Sequence, residues 1–89
     1  MEINEDVRDD LRVRLRRIEG QVRGIAAMLD DDRECRDIVT QIAAATKALE
    51  QVGFKMLASG LTSCLEDPKR SAAEGYSVEE VEKLFLKLA

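Results

Sequence analysis

The apolar residues between Asp6 and Leu29 recur at steps of three and four, and this spacing constrains the fold more than any other feature. They are Val7, Leu11, Leu15, Ile18, Val22, Ile25 and Leu29. Steps of three and four place side chains along one face of an α-helix, and over this length they are typical of helices that pack on helices. The spacing therefore predicts a long first helix over about residues 6–29.

A second apolar stripe follows a short polar interruption. Residues 30–34 read DDDRE and predict a tight helix–helix connection, after which a second helix runs over about residues 35–64. Its stripe consists of Ile38, Val39, Ile42, Ala45, Leu49, Val52, Met56 and Leu57. Pro68 marks the end of this region, because proline cannot continue a helix.

The C-terminal part predicts one more helix. Residues 69–76 are expected to form a polar connector, and Ser77 with Glu80 three positions later forms a capping-box pattern at the start of a short helix over about residues 77–88. We therefore expect a single all-α domain, residues 1–89, with two long helices and a short one. Two long helices cannot cover both apolar stripes, so we expect dimerisation.

Composition agrees with this fold class and narrows the compartment. Hydrophobic residues make up 45% of the chain but aromatic residues only 3%, which favours helix packing over a β-rich fold. No apolar run approaches the roughly 20 residues that cross a bilayer, and the acidic N-terminus does not resemble a signal peptide. We expect a cytoplasmic protein with no membrane partner, in which thiols are normally reduced.

The first helix carries a concentration of arginine. Residues 11–29 contain five arginines and a single acid, Glu19, so this segment carries a charge of +4 in a chain of net charge −4. The candidate nucleic-acid contacts in this segment are Arg12, Arg14, Arg16, Arg17, Arg23 and Gln21. A charge run can simply solvate a helix face. An all-arginine cluster in an acidic chain nevertheless favours a footprint for phosphates, which arginine binds in a bidentate manner.

The two cysteines lie at opposite ends of the second predicted helix. Cys35 and Cys64 are 29 residues apart, so one straight helix would separate them by about 44 Å. They can meet only across chains, where an antiparallel pair of these helices would create two sites related by a two-fold axis. The alternative is that they are unrelated buried cysteines, which behave as small hydrophobic residues.

A facing thiol pair allows few chemistries in a chain without histidine. Histidine-rich nickel or cobalt sites are excluded, and a zinc site would need two further ligands. A two-sulfur Cu(I) site is compatible, as is oxidation to a disulfide or to a bridge of added sulfur atoms. A thiol enzyme or sulfur carrier is disfavoured, because the chain has no CxxC motif, no histidine base and no cofactor cradle. We expect no enzyme activity and no resident cofactor.

Residues 14–25, RLRRIEGQVRGI, resemble the signature of the CsoR/RcnR family of bacterial repressors. The likeness continues through Cys35, residues 37–49 (DIVTQIAAATKAL) and Cys64, and covers about residues 9–88. The resemblance implies an antiparallel helical dimer that assembles into a tetramer, binds operator DNA and releases it on sensing an inducer. It also implies a DNA-binding surface that contains Arg14, Arg16, Arg17 and Gln21, with Lys47 and Lys55 as further candidates.

The resemblance also bears on the inducer. Copper-sensing members of the family use a Cys, then a His and a Cys four residues apart; here the outer two are Cys35 and Cys64, but the middle position is Gly60. A retained cysteine pair without histidine resembles the CstR branch, which senses persulfides. By that resemblance Cys35 would accept sulfane sulfur and Cys64 of the partner chain would resolve it, with Gly60 leaving room for a multi-sulfur bridge. The alternative is a repressor that responds to Cu(I), another metal or an electrophile through the same two thiols.

Overall fold

The computed structural model describes residues 2–89, which form four helices and no strand. Two long helices, α1 (Glu5–Asp30) and α2 (Cys35–Glu66), are followed by the short α3 (Pro68–Ala73) and by α4 (Val78–Leu88). The all-α prediction is confirmed. Both predicted long helices exist: α1 extends one residue beyond each expected end, and α2 begins at the expected residue and extends two residues further at its C-terminal end. The periodic apolar pattern is clear in the middle of a helix and weak at its termini.

Helix α3 corrects the expectation of a polar connector over residues 69–76. Pro68 occupies the first turn of α3, where the absence of its N–H costs nothing, and the Asp67 side chain accepts a hydrogen bond from the Arg70 backbone N–H at 3.2 Å. Gly75, with φ of 92°, lies in the turn that follows α3. Pro68 therefore both ends α2 and opens another helix, so residues 2–89 form four helices rather than the three that were predicted.

The predicted start of the C-terminal helix is confirmed by its cap. Ser77 is the N-cap of α4, and its Oγ accepts a hydrogen bond from the Glu80 backbone N–H at 3.2 Å. At the other end of the chain Asn4 caps α1 in the same way, accepting from Asp6 N at 2.8 Å. Both caps satisfy backbone donors that have no partner inside the helix.

The core lies between α1 and α2 and is small. Leu11 and Ile18 of α1 are buried against Val52 of α2, with Val7 and Ala48 packed at the edge of this cluster. The link over residues 31–34 is too short for anything but a reversal of direction, so the two helices lie antiparallel. The resulting chain is elongated, at 54 × 24 × 14 Å.

Helix α4 packs against the C-terminal half of α2. The rings of Phe54 and Phe85 stack with their centroids 6.0 Å apart, and Val81 is buried. A Cβ placed on Gly53 would lie 2.7 Å from the Leu88 Cδ1 atom, so the missing side chain of Gly53 is what admits Leu88.

Much of both apolar stripes stays exposed in the single chain. The exposed large apolar residues of α1 and of the first half of α2 are Val13, Leu15, Val22, Leu29, Val39, Ile42 and Leu49. Exposed rows of apolar side chains often mark a surface that binds another protein chain. Association with further copies stays a prediction that this exposure supports. No helix among residues 2–89 is long and apolar enough to cross a membrane.

Candidate DNA-binding face and sensing cysteines

The arginine cluster of α1 is distributed over two faces of the helix. Residues three, four or seven positions apart share a helix face. Arg14, Arg17 and Gln21 therefore lie together, on the side of α1 that borders α2. The remaining candidates, Arg12, Arg16 and Arg23, lie on the opposite side. Arg23 accordingly borders a different surface groove, beside Glu19.

A groove of about 220 Å³ separates the first of these faces from α2. We call it the α1–α2 groove, and it is lined by Arg14, Arg17, Ile18, Gln21, Ala48 and Gln51. Gln51 was not a candidate from the sequence, although it lies four residues after Lys47 and four before Lys55 on α2. The groove therefore combines arginine donors from α1 with an amide from α2, and a lysine lies one turn from that amide in either direction.

Asp10 occupies one end of this face and joins the two helices. Its carboxylate oxygen Oδ2 lies 2.8 Å from Arg14 Nε and 2.8 Å from Lys55 Nζ. The hydrogen bonds from Lys55 and from Arg14 lower the pKa of the Asp10 carboxyl below its ordinary value of 3.8. Two of the candidate DNA-binding cations are thus already paired with an acid of the same chain.

The other candidates differ in their pairing. Arg12 lies 2.8 Å from Asp9 and 3.5 Å from Glu5, and all three side chains are exposed. Among residues 2–89, no ion pair engages Arg16, Arg17, Arg23 or Lys47. Arg17 is therefore the arginine of the α1–α2 groove whose charge is not already matched by a neighbouring acid.

Cys64 is enclosed by the segment that joins α3 to α4. Its side chain is 1% exposed, and its Sγ donates a hydrogen bond to the Tyr76 carbonyl at 3.4 Å. The hydroxyl of Ser71, itself buried, donates to the same carbonyl at 2.8 Å, while Tyr76 N donates to the Ser71 carbonyl at 2.9 Å. The sequence gives no sign of this contact, because it depends on helix α3, which the sequence analysis did not predict.

Cys35 has the opposite environment. It is exposed and is the first residue of α2, whereas Cys64 lies near the other end of the same uninterrupted helix. The 29 residues from Cys35 to Cys64 correspond to about 44 Å along the axis of α2, so the helix keeps the two thiols of one chain far apart, as predicted. Residues 2–89 of a single chain hold no cluster of three or more metal-ligating side chains of the His, Cys, Asp or Glu type.

Comparison with known proteins places this arrangement in a family. A model of metal-sensitive transcriptional repressors matches residues 7–87. The chain is 47% identical over 68 residues to the copper-sensing transcriptional repressor RicR of Mycobacterium tuberculosis (strain ATCC 25618 / H37Rv), which is 76% of this chain and 68% of RicR. It is 38% identical over 80 residues to the copper-sensing transcriptional repressor CsoR of Bacillus subtilis (strain 168), covering 90% of this chain and 79% of that CsoR. The chain therefore belongs to the family of metal-sensitive transcriptional repressors, the CsoR/RcnR family that its sequence resembles, and is a repressor rather than an enzyme.

Proposed function

We propose that this repressor binds operator DNA through the α1–α2 groove and its flanking lysines, and releases the DNA when Cu(I) joins Cys35 of one chain to Cys64 of another. The observation that carries the proposal is the placement of the two thiols at opposite ends of one continuous helix. The two thiols of one chain are therefore too far apart to share an inducer. In an antiparallel pair of chains, Cys35 of one chain would lie beside Cys64 of the other.

The DNA-binding part rests on charge and position. Phosphate contacts supply most of the affinity of such proteins, and arginine matches phosphate geometry best. Arg17 lies in the α1–α2 groove and makes no ion pair with another residue of the described range 2–89. Gln21 and Gln51 add amides that can donate to phosphate or read a base edge. Arg12, Arg16 and Arg23 face away from this groove and are weaker candidates for the same stretch of DNA.

The dimer part rests on the exposed stripe of α2. Val39, Ile42 and Leu49 are about half exposed in the single chain, at 55, 47 and 52%. Pairing of two α2 helices across this stripe in opposite directions would bury it and would bring the N-terminal end of each α2 beside the C-terminal end of the other. Assembly of such dimers into a tetramer follows from the family resemblance alone.

Cu(I) is the first inducer to test because RicR and CsoR are both named copper sensors. Soft thiolates are the ligands that select Cu(I), and the chain has two cysteines and no histidine. Cys35 and Cys64 are therefore the residues that would hold the ion. Its bonds to both sulfurs would link the two chains.

A persulfide is the second candidate, and Gly60 favours it. Gly60 is buried on α2 one turn before Cys64, so this position offers no side chain to complete a metal site. The Cys35 thiolate would take the outer sulfur of a persulfide RS–SH, giving Cys35–S–SH and the thiolate RS⁻. The Cys64 thiolate of the partner chain would then attack the Cys35 sulfur, forming an inter-chain disulfide and releasing HS⁻.

The inducer is tested by operator release, measured as the fluorescence anisotropy of labelled DNA with reduced protein. We expect one equivalent of Cu(I) per thiol pair to release the DNA, and both Cys35→Ser and Cys64→Ser to abolish the response. Release by polysulfide with no response to Cu(I) would replace the first candidate by the second. Release by neither reagent would contradict a thiol-based inducer site.

The cross-chain geometry has its own test. A mixed dimer of one Cys35→Ser chain and one Cys64→Ser chain retains one intact Cys35–Cys64 pair if the site spans two chains. Co-refolding the two variants should therefore restore part of the response that each lacks alone, and no restoration would contradict the antiparallel dimer. Arg17→Ala should abolish operator binding while leaving the reaction of both thiols unchanged, which separates the two halves of the proposal.

A further inference from the structure

We infer that Asp10 is an internal counter-ion of the DNA-binding face, which occupies Arg14 and Lys55 in the free repressor and is displaced from them by operator phosphates. This inference rests on the proposed function, because it requires that the α1–α2 groove face DNA. Asp10 would therefore influence DNA binding although a carboxylate does not itself bind phosphate.

The geometry around Asp10 is that of a bound anion. One carboxylate oxygen receives both Arg14 Nε and Lys55 Nζ at 2.8 Å, a length typical of charge-assisted hydrogen bonds. The two cations come from different helices and converge on a single oxygen. A phosphate oxygen makes the same kind of contact with the same two groups, so carboxylate and phosphate would compete for one pair of donors.

Asp10 also lies on the correct face. It precedes Arg14 by four residues, Arg17 by seven and Gln21 by eleven, which are the steps that follow one side of a helix. The side chains of Asp10, Arg14 and Lys55 are 41, 40 and 43% exposed, so solvent and DNA can reach all three. Because hydrogen bonds from Lys55 and Arg14 lower the pKa of Asp10, the carboxylate stays charged at neutral pH.

This arrangement has a consequence for salt dependence. A cation releases counterions from DNA when it neutralises a phosphate, and each such contact adds about 0.9 to the slope of log affinity against log salt. Arg14 and Lys55 can make these contacts only when they leave Asp10, whose negative charge then lies close to the DNA backbone. Asp10 therefore lowers the affinity for the operator and makes it less sensitive to salt.

The test compares Asp10→Asn with wild type over a range of salt concentrations. We expect Asp10→Asn to bind the operator more tightly and with a slope steeper by about 0.9 per protomer, because the net positive charge that this cluster presents to phosphates rises by one. Between about 50 and 200 mM salt the gain in affinity would then shrink about 3.5-fold. Asp10→Glu keeps the charge and should behave like wild type.

Asp9→Asn is the matched control, because it removes the same charge one residue away. Its partner Arg12 keeps Glu5 within 3.5 Å and lies on the opposite face of α1. Equal affinities and slopes for the two asparagine variants would overturn the inference. Weaker binding by a folded Asp10→Asn, checked by circular dichroism, would also overturn it, since Asp10 would then be positioning the cations. If Arg17→Ala still binds the operator normally, the proposed DNA face itself is wrong.

Discussion

The accessibility of the Cys64 thiol should depend on the hydroxyl of Ser71, which is not part of the proposed inducer site. The Tyr76 carbonyl accepts one hydrogen bond from Ser71 Oγ at 2.8 Å and a weaker one from Cys64 Sγ at 3.4 Å. Ser71→Ala removes the shorter bond and leaves the carbonyl with only the thiol, a weak donor. The segment between α3 and α4 should then open more often, because fewer bonds hold it over the thiol.

The size of the effect follows from the bond that is lost. A neutral hydrogen bond contributes about 1 kcal/mol net, and a change of that size alters an equilibrium about fivefold at room temperature. A thiol that is 1% exposed reacts with an alkylating reagent only when its cover opens. We therefore expect Cys64 to react about five times faster in Ser71→Ala than in wild type.

The assay is alkylation of reduced protein with iodoacetamide, followed over time by mass spectrometry of the two cysteine peptides. Cys35 is exposed and serves as an internal standard, so its rate should be unchanged. Ser63→Ala is the matched control, because this serine is next to Cys64 in sequence but donates to the Glu2 carbonyl at 3.3 Å instead of to the loop. An unchanged Cys64 rate in Ser71→Ala, or an equal rise at both cysteines, would refute the role of this hydrogen bond.

Two further outcomes test the packing and the electrostatics. Gly53→Val should loosen the packing of α4, because even a Cβ at this position would lie 2.7 Å from Leu88 Cδ1, and amide exchange in α4 should accelerate. Gly20→Val is the control: a Cβ there meets nothing within 4 Å in the described chain, so amide exchange in α4 should not change. Lys55→Met should move the carboxyl titration midpoint of Asp10, followed by NMR, back up toward 3.8, because the hydrogen bond from Lys55 is the main cause of its lowered pKa. Because the pKa of Asp10 is lowered, its ion pairs stabilise the fold at pH values above the ordinary pKa of 3.8 and lose this contribution as the pH falls through the folded-state pKa. The stabilities of wild type and Lys55→Met should therefore converge only in acid.

The long helices could be predicted from the sequence because their apolar residues repeat over many turns. Helix α3 could not, since six polar and small residues show no periodicity, and what defines it is local: a proline in its first turn and the cap from Asp67. Pro68 was predicted to end a helix, and α2 does end just before it. Nothing in the apolar pattern indicates that a new helix begins at Pro68 itself.

The candidate sites divide in a similar way. The separation of Cys35 and Cys64 follows from helix rise alone and was predictable. The enclosure of Cys64 was not, because it needs a loop that α3 carries into place. The net charge of +4 describes residues 11–29, and Asp10, the acid that pairs with Arg14 and Lys55, lies one residue before that segment. Local composition described the charge of α1 but not which charges are already matched.

The proposed DNA-binding groove and the proposed inducer site both include residues of α2. The packing of α1 on α2 is therefore the contact through which one site would affect the other. Lys55 and Cys64 are nine residues apart on one uninterrupted helix, about 14 Å along its axis. Among residues 2–89, the buried cluster between α1 and α2 consists of Leu11, Ile18 and Val52, with Val7 and Ala48 packed at its edge. If reaction at Cys64 displaces α2, as the proposed function requires, the ion pair between Lys55 and Asp10 of α1 would be affected directly. Allosteric coupling requires an element that both ligands can bias, and in this chain α2 carries both thiols of the proposed inducer site and two of the six residues that line the groove.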